Sequence, residues 1–486
     1  MKKLLMFFWL CLLMWSISPR AAFGQEPDGE TLYLPVVFRN YDPYAAFYTI
    51  NAPYTTRFVE SAVVWMGRVS EADNASDVRV RYTDTELVVD FAAFDRRIWY
   101  NGSPSSGALE DWDAATLLLN TSVDAPDRPG SQSYRFVAQF KGLGNGEPLP
   151  SAYKAAYRGT GSGWQSQTIN FTVETGWRGD GLNNNGDDRG WRITFRIPYA
   201  SLGLSKPAEG SRWRVAFISH DRDSQAGPPG ASFIWPPAAQ RDEPSTWAAL
   251  RFGMPVYSLP QVRNLASLLI REGKNEAVVP DAAVGGTISN QCPGDSYHIW
   301  NEWGDRNYAD EDSALIQNQA DVADWPCFAR YYIAFPLDRL PPGKVIRSAR
   351  LVLYHWGGSG KICDNPDQNP DPDCARSSFI HVLSVPPGWQ EDTITWNNAP
   401  LPFENVAVLQ VPPYNINQPE EKWPGMRCEW DVSYALSKAY DQGTGWVSFA
   451  LYSSDSAYHS GKYFSASETG EWNKEGRPTL IIEYGD

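Results

Sequence analysis

Histidine is scarce, with five in 486 residues: His220, His298, His355, His381 and His459. None stands at an HExxH or other metal-ligand spacing, and the chain has no GxSxG elbow, glycine-rich phosphate loop or CxxC pair. These absences argue against zinc, serine-hydrolase, nucleotide and dithiol chemistry. Long apolar runs are equally few. The one present, Leu4 to Trp15, follows Lys2 and Lys3 and precedes Ala21, Ala22 and Gly24, the three-part pattern of a secretory signal. It is too short to cross a bilayer core of ~30 Å, and no later window replaces it. The expectation is a signal peptide over 1–24 and a secreted chain, extracellular or attached to the cell surface, with no transmembrane segment. Basic charge is in deficit, 42 Lys and Arg against 57 Asp and Glu, net -15. Such a chain repels phosphate backbones, so nucleic acid is not an expected partner.

Of six cysteines, Cys11 lies in the apolar run and the others, Cys292, Cys327, Cys363, Cys374 and Cys428, fall in the second half. Secretion permits disulfides. Cys363 and Cys374 flank the polar loop CDNPDQNPDPDC, which makes them the favoured pair. The remaining three cannot all pair within one chain, so one thiol is free or intermolecular.

What the chain has in plenty is aromatic: 21 Trp and 24 Tyr, among many Asn and Gly. That composition suits a solvated β-protein offering flat faces to a neutral ligand, or equally one whose aromatics fill its cores. Helical periodicity is rare. Short β-prone runs separated by Gly, Pro, Asn and Asp recur instead, as in Asp77 to Tyr82, where Val78, Val80 and Tyr82 alternate with Arg79 and Arg81. Length favours two domains. The prediction is an all-β chain of two jelly-roll-like β-sandwiches in tandem: a tether at 25–46, a first sandwich at 47–253, a linker at 254–277 and a second sandwich at 278–486.

The order of features in the first sandwich resembles family 9 carbohydrate-binding modules. Trp65 precedes the paired strands DVRVRYTDTELVVDFAAFD, residues 77 to 95; Asp111, Trp112 and Asp113 lead into Ala114 to Leu119. GWRITFRIP follows at 190 to 198, and STWAALRFG closes the region at 245 to 253. The resemblance implies a sugar held between two tryptophan faces, at Trp112 with Trp235 or Trp247, although each of these can instead be core. Trp99 and Tyr100, beside Arg96 and Arg97, form a second aromatic tip, and arginine there can bond hydroxyls or carboxylates. The segment DGLNNNGDDRG gathers Asp180, Asn183, Asn185, Asp187 and Asp188, with Asp221 and Asp223 able to join from a neighbouring loop. Hard oxygen ligands at that density suit a structural calcium ion, whereas the same residues also build ordinary Asn/Gly turns.

The second sandwich resembles DNRLRE domains, which are similar to family 96 carbohydrate-binding modules. RYYIAFPL (330 to 337), IRSARLVLY (346 to 354), WQEDTITWNNAP (389 to 400), Trp430 to Val432, FSASE (464 to 468) and RPTL (477 to 480) carry the likeness. Trp389 and Trp396 alternate with Ile394 on an expected strand and are read as core, with Trp303, Tyr308, Trp356 and Trp472 as better contact positions. Adjacent carboxylates such as Glu391 with Asp392 fall on opposite strand faces or in a turn, and Tyr458 with His459 offers lyase residue types without a motif. Together these features predict a secreted, noncatalytic protein that binds a polysaccharide or other glycan. The alternatives are a structural or adhesive surface protein without sugar binding, and a polysaccharide hydrolase or lyase.

Overall fold

The computed structural model describes residues 48–144, 147–286, 296–318, 328–415, 423–454 and 459–486. The expected signal peptide and tether, Cys292, Cys327 and Tyr458 lie outside these residues.

Two β-sandwiches are built around one long sheet. In the first half, a five-stranded sheet runs in the order Ala62–Gly67, Ala75–Tyr82, Glu86–Phe94, Asp188–Pro198, Thr172–Gly179. Its inward side chains, among them Val78, Phe91 and Phe195, are fully buried with Leu117 and Phe217 of the opposing sheet. Inward and outward positions alternate with the two-residue period of a strand. That opposing sheet contains Thr49–Ala52, Ala248–Phe252, Arg212–His220, Ala114–Asn120 and Ser133–Gln139. Through a parallel contact of Thr49 with Glu404 it continues into the second half as Glu404–Val411, Ser378–Ser384, Trp446–Ser453, Arg330–Pro336 and Asp281–Val284. A six-stranded sheet led by Val345–Gly358 and Thr479–Gly485 covers this part and encloses a second core of Ile333, Phe335, Leu351, Phe449 and Leu480.

A third core joins the halves. Val63, Trp65 and Phe94, on the outer face of the five-stranded sheet, pack against Tyr332, Ile394, Trp396, Ala450 and Tyr452. Arg79 and Arg81, read as the solvent face of a half-buried strand, are therefore buried as well. Arg79 donates to the Ser454 carbonyl and Arg81 pairs with Asp90. At the centre of the join Arg330 lies 2.8 Å from Asp77, its guanidinium 4.0 Å from the Trp65 ring, 3.6 Å from Trp396 and 4.5 Å from Tyr452. The amide of Asn397 clasps the Val69 backbone from both sides.

Three local expectations are corrected. Thr393 to Trp396 is a chain of turns, because Thr393 and Ile394 both bond back to the Gln390 carbonyl and Asn398 caps the Thr395 amide. Ala266–Arg271, inside the expected linker, is a strand that pairs antiparallel with Thr479–Gly485 and extends the six-stranded sheet. Trp303 is buried in the joining core, out of reach of a ligand. Cys363 and Cys374 are disulfide-linked, and Cys428 is a buried thiol of the second core, pushed up to about 12 by burial. Among the described residues no helix is long and apolar enough to cross a membrane.

Candidate functional site

Three strand ends meet at one end of the first sandwich. Asp95 follows Glu86–Phe94 in one sheet; Asp113 precedes Ala114–Asn120 and Asp221 follows Arg212–His220 in the other. Because the last two strands are antiparallel, with Ala114 opposite His220, their carboxylates emerge together. One oxygen from each of the three lies within 4.8 Å of the others, and all three residues are buried. Asp95 accepts the Arg97 amide at 2.8 Å and the Trp191 indole at 2.9 Å. Asp113 accepts the Trp99 amide at 2.6 Å and the Arg222 amide at 2.8 Å. Among the described residues neither oxygen of Asp221, 2% exposed, has a well-aligned hydrogen-bond partner, and the Arg222 amide is the donor near it.

Desolvation, reinforced by mutual repulsion, raises all three carboxyls. Asp95 moves to about 7, Asp221 to about 9 and Asp113 well above its ordinary range. A buried carboxylate without well-aligned hydrogen-bond partners is a costly arrangement unless a proton or cation compensates it. Three hard oxygen donors converging on one point fit calcium.

The residues expected to ligate a cation are mostly otherwise engaged. Asp187 is ion-paired with Arg96 at 2.7 Å. Asp188 accepts the Ile98 amide at 3.0 Å and the Gly181 amide at 3.2 Å, and Asn183 accepts the Tyr100 amide at 2.8 Å. These three fasten the 180–190 loop to the 96–100 loop. Asp180 and Asn185 are exposed and lie outside the carboxylate cluster, while half-buried Asp223 lies near enough to raise Asp95 and Asp221 by repulsion. Of the seven, the cluster contains Asp221 alone. Asp95 and Asp113 were missed because each ends or begins an ordinary strand, and only the tertiary fold brings them together.

The tryptophan clamp is corrected. Trp235 is fully buried, stacks on Phe217 and donates to the Pro402 carbonyl at 3.1 Å across the join. Trp247, also fully buried, lies parallel to Trp164 and donates to the Gln240 carbonyl. Neither presents a free face. Trp112 is half-buried, with the Arg222 guanidinium 4.2 Å above its ring. Trp99 is buried, whereas Tyr100 and Arg97 are half-buried beside the carboxylate centre.

The second half holds an open pocket of about 490 Å³, lined by Trp389, Gln390, Glu391, Asp392 and Trp446 with Pro280, Ala334, Pro387 and Gly388. Gln390, Glu391 and Asp392, in the turns that follow Trp389, are consecutive in this lining. Trp389, half-buried, is fixed by a 2.8 Å hydrogen bond from its indole to Ser448 and an edge contact with Tyr332. Trp446 is 37% exposed at the start of its strand. Glu391 accepts the Asp281 amide at 2.7 Å and is raised by burial, with repulsion from other carboxylates adding to it. Trp396 is core as expected, and Trp389 packs half-buried against the same core while also lining the pocket.

Solved structures that match the chain do so over less than half of its length. A family 9 module from Caldicellulosiruptor kristjanssonii in complex with cellotriose is 16% identical, matching 43% of this chain and 100% of its own at a TM-score of 0.28. A family 9 module from that organism in complex with glucose is 15% identical over 44% of this chain and 100% of its own, TM-score 0.29. A Bacteroides uniformis protein, provisionally described as carbohydrate-binding, is 11% identical over 42% of this chain and 99% of its own, TM-score 0.31. No family model and no curated protein matches the sequence.

Proposed function

We propose that this chain is a secreted, noncatalytic protein that binds extracellular polysaccharide through the Trp389–Trp446 pocket. The observation that carries the reading is the lining itself: two tryptophans together with Gln390, Glu391 and Asp392. Pyranose rings pack their C–H edges on flat aromatics, while planar amide and carboxylate groups fix hydroxyl directions. The volume lies within the ~300–1,000 Å³ of small-ligand sites. Glu391 is held in place by the Asp281 backbone amide.

In this reading Asp95, Asp113 and Asp221 hold a calcium ion that ties the two sheets of the first sandwich together, and sugar contact lies in the second half. A structural or adhesive role is the second reading, favoured by the complete burial of Trp235 and Trp247. The test is a glycan array of soluble oligosaccharides with the purified chain, repeated with Trp446→Ala. Binding that the substitution weakens supports the pocket. An array that stays blank in repeated preparations removes it.

A further inference from the structure

Away from the pocket, the six-stranded sheet carries a cluster of indoles in solvent. Trp423 is 58% exposed and Trp472 is 68% exposed, an unusual state for the largest apolar side chain. Their rings meet edge to face at 4.8 Å; Trp356 lies 6.0 Å from Trp423 and 5.8 Å from Tyr463. The four side chains come from three separate places in the chain: the end of Val345–Gly358, the approach to Met426–Asp431, and the region from Lys462–Ser465 to the turn at Glu471–Gly476.

The backbone is shaped for them. Gly425, at φ +113°, lies so close to its neighbours that a Cβ would stand 2.7 Å from the His355 carbonyl oxygen and 3.4 Å from the Trp356 Cβ. A Cβ on Gly470 would stand 3.0 Å from the Trp472 ring. Glycine thus lets the 423–425 segment lie against Trp356 and Trp472 fold back over its own turn.

Three observations select the occupant. Among the described residues, charges of both signs lie around the cluster, Lys474 and Arg477 sharing Glu471 at 3.3 and 3.2 Å and Arg427 with Glu429 at 2.5 Å, so these residues do not form a patch of one sign for a polyion. With ~150–250 Å² per tryptophan, the two exposed rings present roughly 200–300 Å², well short of the ~800 Å² per partner of a stable protein interface. Finally, rings crossed at 86° and 38° form a stepped surface that meets successive units of a chain at different angles.

We propose that Trp356, Trp423 and Trp472 form a second binding surface, for an extended neutral polysaccharide chain, which holds the protein on insoluble glycan independently of the pocket. It rests on the carbohydrate reading above only for the class of ligand, since its residues are separate.

The test is sedimentation of the purified chain with microcrystalline cellulose, insoluble xylan and chitin, with gelled alginate as the anionic control. The wild-type chain is expected to pellet with at least one neutral glycan in preference to alginate. Trp423→Ala/Trp472→Ala is expected to lower the affinity about tenfold or more, the equivalent of ~1.4 kcal/mol. Both positions are exposed, and circular dichroism with the unfolding midpoint checks that the variant folds. No pelleting with any neutral glycan, equal pelleting by the double variant, preference for alginate, or a dimer in sedimentation velocity that the double variant abolishes would each overturn the proposal. A positive oligosaccharide array with unchanged pelleting removes this surface and leaves the pocket; a blank array with platform-dependent pelleting does the reverse.

Discussion

Replacing Arg330 by methionine tests how the two halves are held together. Arg330 is 2% exposed and Asp77 1% exposed, so the pair has almost no water to fall back on. Asp77 also accepts the Tyr452 hydroxyl at 2.8 Å and the Asn318 amide at 3.1 Å, while three aromatic faces surround the guanidinium. Methionine keeps much of the volume and the apolar contact but leaves Asp77 with Arg79 at 3.7 Å as its nearest cation. Removing one member of a buried pair costs ~3–5 kcal/mol. Because Arg79 remains, the lower end of that range, about 3 kcal/mol, is expected. Asp77→Asn with Arg330→Met removes both charges, and a coupling of about 1–3 kcal/mol should separate the double variant from the sum of the singles. Urea unfolding followed by tryptophan fluorescence reads this directly, since Trp65 and Trp396 flank the site. A loosened join should also broaden the transition or split it in two. If Arg330→Met stays within about 0.5 kcal/mol of wild type, the cluster does not hold the halves together and the reasoning fails.

Three further outcomes are expected. Calcium should stabilise the chelator-treated chain by about 2.7 kcal/mol at a hundredfold excess over the dissociation constant, read as a raised thermal midpoint, and Asp221→Asn should abolish the response; an equal response in the variant would exclude this centre. Burial raises Asp281 well above its ordinary range and Glu468 to about 7. Between pH ~4 and ~7 the folded chain therefore holds protons that the unfolded chain has released, and this contribution to stability falls as pH rises. Asp281→Asn should flatten that slope between pH 5 and 7.5, and an unchanged slope would show that these carboxyls do not carry it. Trp235→Ala should destabilise by about 3–5 kcal/mol through the cavity and the lost Pro402 bond; a folded variant of wild-type midpoint would mean that Trp235 is not the core residue described.

Most strands were legible because apolar residues alternating with polar ones write a two-residue period, as in Val78, Val80 and Tyr82, even where, as here, both faces are buried. The join was not. Residues buried on both faces, such as Arg79 and Arg330, look like solvent positions until a second sandwich covers them. The motif WQEDTITWNNAP illustrates this: its spacing mimics an alternating strand, yet Asn398 and Gln390 wind it into turns that put Trp396 in the join and Trp389 at the pocket. Ala266–Arg271 was read as linker because an edge strand, half exposed and flanked by Pro260 and Gly273, has the composition of a connection. In the first half the 180–190 loop bonds to the 96–100 loop, and Asp113, beside Asp221, takes the Trp99 amide. Which of their oxygens remain free depended on backbone amides that no spacing reveals. Likewise Trp446 meets Trp389 only through sheet order, and the 423–472 cluster only through three separate connections.

The account turns on whether the Trp389–Trp446 pocket takes sugar. Titrating the purified chain by calorimetry with a soluble oligosaccharide positive on the array measures this most directly. Trp446→Ala should weaken binding about tenfold or more with the unfolding midpoint unchanged, since that side chain is 37% exposed. Equal affinity in wild type and variant, or no heat with any oligosaccharide, would contradict it.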